Sequence, residues 1–347
     1  TQKCITRDLT WGTPVPVDRV PELAERFEAK VFYVWFDAPI GYLSILKHHL
    51  SPEEYIDWVH SPSHPSWIQF MAKDNIPFHT IVFPTTLLGC TTSYPKLTYL
   101  AATNYLMYQG NKFSKSKGMG IFGDEVRELN KILGITADYW RYYLLRIRPE
   151  GKDSSFEWSD FARCIKSELN DSFGNFVHRL VVLAKKSNLL EFETDISLLP
   201  SDYQDHYLAL MESYHTQIQK TNYREALNTA LQISKLGNKY LQDNKPWELI
   251  KKIKVISSME EKSSLQIGLL QQFQITAYLA IESTLALYPF IPEITQKLLT
   301  AWKIESVTSA DKYYFQLQAD KYQIPIKMID LTKLPEKYHL DEAKIDI

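Results

Sequence analysis

Cysteine is scarce in this 347-residue sequence. Cys4, Cys90 and Cys164 lie far apart and form no C-x-x-C pair. That argues against a disulfide framework, against a metal centre and in particular a zinc site within the chain, and for reduced thiols in a cytoplasmic protein. Long apolar runs are also missing. None approaches the ~20 residues that cross a bilayer, and the opening Thr1-Gln2-Lys3-Cys4 has none of the features of a signal peptide, so no membrane association is expected. Charge of one sign is not in excess either: 39 basic and 41 acidic residues give a formal net charge of −2. Any nucleic-acid surface must therefore come from the local placement of lysine and arginine. Internal repeats and low-complexity tracts are absent. The first residue is not methionine and structured-looking sequence follows at once, so a segment upstream of Thr1 is expected.

What is present is ordinary globular sequence, 45% hydrophobic and 23% charged, long enough for about two domains. Through the first 155 residues, short apolar runs alternate with loops and helical stretches. Val31–Phe36, Ile68–Met71 and Thr80–Phe83 are β-branched or aromatic runs that stop at Asp37-Ala38-Pro39, at Ala72-Lys73-Asp74-Asn75 and at Pro84. Such runs predict buried parallel strands of an α/β sheet, and ligands bind outside the carboxyl ends of such strands. From Phe156 the period changes. Phe161, Ile165, Leu169, Phe173, Phe176 and Leu180 recur at helical spacing. Three more series follow, through Tyr207–Ile218, Ala226–Leu241 and Ile267–Ile281, with Pro200-Ser201-Asp202 and Asn244-Lys245-Pro246 as punctuation. An antiparallel helix bundle over 156–300 is predicted, with Pro246 in a first helical turn and an unassigned extension over 301–347 that packs on the other domains.

Gly110-Asn111-Lys112-Phe113-Ser114-Lys115-Ser116-Lys117-Gly118 places two lysines three apart among serines and glycines. Such a cationic loop can close over a triphosphate and neutralise charge developing between its α- and β-phosphates, although a solvated basic turn has the same composition. It follows the helical-looking Leu97–Tyr108, trails an α/β region and precedes a helix bundle. That order resembles the class I aminoacyl-tRNA synthetases, whose second signature is a Lys-Met-Ser-Lys-Ser loop. Phe113 stands where the family usually has methionine. The resemblance implies catalytic roles for Lys112 and above all Lys115, with Ser114 and Ser116 beside them in binding ATP.

Trp35-Phe36-Asp37-Ala38-Pro39-Ile40-Gly41-Tyr42 and Lys73-Asp74-Asn75-Ile76-Pro77-Phe78-His79 narrow the amino acid. Aromatics, a proline and a small residue at strand ends can form a slot for a flexible thioether, because sulfur packs well against aromatic edges. Taken singly, Trp35, Tyr42 and Phe78 read equally well as core aromatics, and His79 as a core histidine. Together the segments are similar to those of the methionyl-tRNA synthetases. That similarity implies a methionine pocket of Trp35, Ala38, Pro39, Tyr42, Phe78 and His79, with Lys73 and Asp74 beside ATP. Ala72 replaces a glycine found in many members. Arg7, in Ile5-Thr6-Arg7-Asp8-Leu9, is a further candidate active-site cation or an exposed loop residue.

In the helical half, Asn175 and Arg179 are four apart and share a helix face, while Trp247 directly follows Pro246. An amide and a guanidinium side by side can read the base edges of a single-stranded loop, and an aromatic can stack a base for roughly 1–3 kcal/mol. Helix bridging and core packing would account for the same residues. Resemblance to the anticodon-binding bundle of the methionyl enzymes implies that Asn175, Arg179 and Trp247 contact a CAU anticodon, with Lys245, Lys251 and Lys252 near phosphates.

The fold implied is α/β, the second half of a Rossmann-like class I synthetase catalytic domain followed by an all-α helix-bundle anticodon-binding domain. The partners implied are methionine, ATP with its Mg2+, tRNA(Met), and either a separate N-terminal segment or a multi-synthetase complex. The family's first signature, His-Ile-Gly-His, does not occur in the sequence, so the chain alone is expected to be inactive in forming methionyl adenylate. A non-catalytic tRNA-binding protein derived from a synthetase is the alternative, and the retention of Lys112 and Lys115 argues against it.

Overall fold

The computed structural model describes residues 4–61, 66–304, 312–318 and 326–338. The chain divides into two compact units, Thr1–Asn104 and Tyr105–Ile347.

In the first unit, β1 (Thr6–Arg7) pairs antiparallel with β2 (Val31–Phe32), and α1 (Ala24–Phe27) lies between them in sequence. Two helices follow, α2 (Val34–Asp37) and α3 (Ile40–His49), separated at Ala38-Pro39 because proline has no N–H to continue the ladder. α4 (Pro52–His60) opens on a reciprocal cap: Ser51 Oγ accepts from the Glu54 N–H at 3.2 Å, and the Glu54 carboxylate accepts from the Ser51 N–H at 2.9 Å. β3 (Ile68–Ala72) pairs in parallel with β4 (Tyr99–Thr103), from Ile68 opposite Tyr99 to Ala72 opposite Thr103. The crossover between them holds a 3-10 turn at Lys73–Asn75, a π-helical turn at Phe78–Val82 and α5 (Phe83–Leu88).

Three local expectations fail here. Only Val31–Phe32 of the run to Phe36 is strand, and it pairs antiparallel. Thr80–Phe83 is helical, with the Thr80, Thr85 and Thr86 hydroxyls donating to carbonyls four residues back. Leu97–Tyr108 contains two strands, not a helix. Short apolar runs do not distinguish helix from strand by period, and tertiary partners decide them.

The second unit begins with β5 (Leu106–Tyr108), parallel to β6 (Ser154–Phe156). Between them lie the lysine loop, α6 (Val126–Leu133), stopped by Gly134 at φ 64°, and α7 (Ala137–Arg146). Trp140, Tyr143, Phe156, Trp158 and Phe161 form a buried aromatic cluster beneath this pair, each ring within about 6 Å of another. α8 (Trp158–Cys164) runs through a π-helical stretch, Ile165–Gly174, into α9 (Asn175–Ser187). The predicted apolar series Phe161, Ile165, Leu169, Phe173, Phe176 and Leu180 is fully buried.

The bundle continues with α10 (Ser201–Gln219), α11 (Tyr223–Asn244), α12 (Pro246–Val255), α13 (Met259–Leu287) and α14 (Pro292–Ala301). Pro246 is the first residue of α12, as its position in the sequence predicts. Of the fourth series, Ile275, Leu279 and Ile281 are buried, Leu270 is half-buried and Ile267 is 61% exposed, because the first turns of α13 lie outside the packed core. Of the extension after Ala301, the described part includes β8 (Lys312–Gln316), antiparallel to β7 (Glu191–Asp195). Glu282, buried in α13, accepts from the hydroxyls of Tyr207 (2.6 Å) and Tyr313 (2.5 Å), tying this strand to the bundle.

Candidate functional site

Residues from both predicted pocket segments come together in the first unit. Trp35 in α2 stacks on Phe78 at a centroid distance of 5.1 Å and an interplanar angle of 22°. Tyr42 in α3 lies 3.0 Å from Nε2 of His79 through its hydroxyl. Nδ1 of His79 lies 2.9 Å from the Asn75 carbonyl, which can only accept. Nδ1 therefore donates to that carbonyl, and in the tautomer protonated only there Nε2 accepts from the Tyr42 hydroxyl. His79 is 2% exposed, whereas Tyr42 is 44% exposed, so the pair joins a buried ring to a hydroxyl-bearing ring at the surface. Ala38 and Pro39 form the α2–α3 junction between Trp35 and Tyr42, and Thr13 Oγ1 donates to Asp37 at 2.7 Å beside it. Phe83, outside both predicted pocket segments, packs on Tyr42 at 6.3 Å. Its signal was the recurrence of an aromatic four residues after His79, on the same helical face. His79 and Phe83 also line a cleft of about 520 Å³ with Trp67, Gln69 and Tyr94, within the usual range for a small-molecule pocket.

Lys73 and Asp74 open the 3-10 turn at the carboxyl end of β3, where ligands of parallel sheets bind. Lys73 Nζ donates to Asn104 Oδ1 at 3.4 Å. Arg7 is tied to the carbonyls of Cys4 and Thr6 and lies 4.2 Å over the Tyr33 ring, so its charge is engaged locally.

In the second unit, the lysine loop is a closed turn. Ser114 and Met119 exchange both backbone hydrogen bonds, at 2.9 and 2.8 Å, and Lys112, Lys115 and Ser116 are exposed around it. The Ser114 and Ser116 hydroxyls lie 3.3 Å apart. Phe113 rests on Tyr108 at 5.5 Å, and a Cβ at Gly120 would come within 2.5 Å of the Phe113 ring. Glycine at 120, with φ 138°, is what lets the phenyl ring occupy the methionine's place in the signature. Burial raises the pKa of Tyr108, whose hydroxyl accepts from Trp158 Nε1 at 3.0 Å.

Further along the second unit, Arg179 and Trp247 meet: the guanidinium carbon lies 5.4 Å over the indole. Asn175 is the first residue of α9, exposed, one turn before Arg179. Arg179 Nη1 also donates to Asn238 Oδ1 at 3.2 Å, a partner that sequence spacing could not reveal because it lies 59 residues away. Desolvation lowers the Arg179 pKa from the ordinary guanidinium value.

Among the described residues, no group of three or more His, Cys, Asp or Glu side chains could hold a metal ion. No described helix is long and apolar enough to cross a membrane.

Residues 1–181 match the family model of tRNA synthetases class I (M). The chain belongs to this family of class I tRNA synthetases. Residues 201–323 of this synthetase-family chain match the anticodon binding domain of methionyl tRNA ligase. It is 43% identical to the methionine–tRNA ligase of Acanthamoeba polyphaga mimivirus, over 72% of the chain and 43% of that protein. Against the cytoplasmic methionine–tRNA ligase of Homo sapiens it is 41% identical, over 84% of the chain and 30% of that protein. Against the probable cytoplasmic methionine–tRNA ligase of Dictyostelium discoideum it is 36% identical, over 99% of the chain and 43% of that protein. The chain thus spans less than half the length of these relatives. Its fold is shared with Mycobacterium tuberculosis methionyl-tRNA synthetase bound by methionyl-adenylate, with TM-score 0.71 at 20% identity, over 93% of the chain and 60% of that structure.

Proposed function

We propose that this synthetase-family chain is the methionine-selecting and anticodon-reading portion of a cytoplasmic methionine–tRNA ligase. The observation that carries the proposal is the pairing of two sequence-distant segments in one unit: Trp35 on Phe78, and Tyr42 on His79. The stacked rings, with Ala38 and Pro39 following Trp35 in the chain, would supply apolar surface and polarisable ring edges for a thioether. The Tyr42–His79 pair offers an oriented polar wall at its side.

In the reaction proposed, a methionine carboxylate oxygen attacks the α-phosphorus of ATP in line, forming methionyl adenylate and releasing pyrophosphate. A ribose hydroxyl at the 3′ end of tRNA(Met) then attacks the acyl carbon and AMP leaves. The chain's residues act by positioning and charge neutralisation, not by covalent chemistry. Lys112 and Lys115 offset the charge that builds on the departing pyrophosphate, Ser114 and Ser116 supply hydroxyl donors, and Lys73 and Asp74 engage the nucleotide. Mg2+ would be carried with ATP. Its contribution when bound is charge neutralisation, and the described residues offer it no acidic cluster of their own.

Asn175, Arg179 and Trp247 are proposed to read the CAU anticodon. Aminoacylation assays with a protein that includes this chain test both halves together. Methionine should be transferred to a CAU-anticodon tRNA, and a changed anticodon should cost at least about 100-fold in kcat/KM. Equal charging of both tRNAs would overturn the anticodon assignment.

A further inference from the structure

Asn238 belongs to neither of the predicted anticodon-reading segments, yet its amide is used at both ends. Its Oδ1 accepts from Arg179 Nη1 at 3.2 Å, and its Nδ2 donates to the Ser172 carbonyl at 3.0 Å. The amide therefore has one orientation: turned over, its NH2 would face the guanidinium and its oxygen the carbonyl. Ser172 lies in the π-helical stretch that ends at Gly174, immediately before Asn175. The neighbouring Gly237 fixes the spacing of the helices. A Cβ there would stand 2.1 Å from the Phe176 ring, so α11 meets the start of α9 at a distance that only glycine permits. Asn238 is thereby held against Arg179, which also lies 5.4 Å over the Trp247 ring.

We propose that Asn238 is a positioning residue for anticodon recognition, holding the Arg179 guanidinium by its edge while Trp247 holds its face. The inference rests on the proposed anticodon role of Arg179. A guanidinium fixed at both places keeps its remaining N–H donors in one plane and meets a base edge with little further loss of rotamer freedom. Without Asn238 the positive charge stays but its direction is lost. Attraction to RNA then survives while discrimination between bases falls.

The test is fluorescence anisotropy of the full chain with two labelled anticodon stem–loop RNAs, one carrying CAU and one UAU. Wild type, Asn238→Ala, Arg179→Ala and the double variant are compared. Asn238→Ala should cut the CAU-over-UAU preference by about tenfold while changing UAU affinity less than about twofold, and the double variant should bind no worse than Arg179→Ala. Asn238→Asp, which keeps an oxygen facing Arg179, should retain the preference within about threefold and serves if the alanine variant does not fold. Losses that add in the double variant would show a merely structural role and overturn the proposal. So would an unchanged preference in Asn238→Ala, or its loss in Asn238→Asp. If Arg179→Ala itself leaves the preference intact, the anticodon assignment falls first and this inference with it.

Discussion

The carbonyl of Tyr338 accepts a hydrogen bond from the Gln109 side chain at 3.1 Å, across 229 residues of chain. Gln109 lies at the root of the lysine loop, at φ 47°. The Tyr338 ring meets Trp158 at 5.7 Å, and Trp158 in turn donates to the Tyr108 hydroxyl under Phe113. The closing segment thus buttresses the base of the loop that carries Lys112 and Lys115. Tyr338 is 3% exposed, so Tyr338→Ala should cost about 3 kcal/mol of stability. Amide hydrogen exchange across the loop should rise more than exchange in α11, and uniform acceleration would contradict a local buttress.

The same strap is sensitive to acid. Hydrogen bonds from Lys337 and Tyr338 hold the Glu125 carboxyl below its ordinary value of 4.5. A depressed folded-state pKa means that these bonds contribute fully above the unfolded value and are lost as pH falls through the lower folded one. Thermal unfolding of wild type and Glu125→Gln should therefore differ near neutral pH and converge as pH falls through the lowered folded-state value.

Tyr42→Phe removes the donor to His79 while keeping the ring against Phe83. The His79 ring is then held by one fewer hydrogen bond, so the methionine KM should rise about tenfold with the ATP KM unchanged. Steady-state kinetics of a protein that includes this chain measure both, and parallel changes would place His79 outside the methionine slot.

Gly120→Ala should unseat Phe113, because the added methyl overlaps the ring and the backbone sits at φ 138°. Adding Phe113→Met should recover part of the loss, since an unbranched thioether can bend away from the new methyl. Adenylate formation by the two variants, compared at saturating substrates, checks this. Absence of any recovery would locate the damage in the backbone alone.

The bundle was legible because helical spacing repeats over many residues: each of the six positions from Phe161 to Leu180 is buried as their recurrence every three to four residues predicts. The same rule fails for Ile267, because periodicity marks a helix face without saying where its neighbour ends. Thr80–Phe83, and the two short strands within Leu97–Tyr108, differ from expectation because so few residues in each element carry no period of their own. The contact of Tyr42 with His79 joins two segments that the sequence singles out by their chemistry and spacing. Asn238 and Tyr338 were not singled out, because their partners lie 59 and 229 residues away and only the folded chain brings them together.

Methionine-dependent ATP–pyrophosphate exchange, in a protein that includes this chain, tests the central proposal most directly. Methionine should support exchange over leucine, isoleucine and valine, and Lys115→Ala should lower kcat by about 100-fold or more with the methionine KM little changed. Exchange driven equally by another of these amino acids, or full activity in Lys115→Ala, would contradict it.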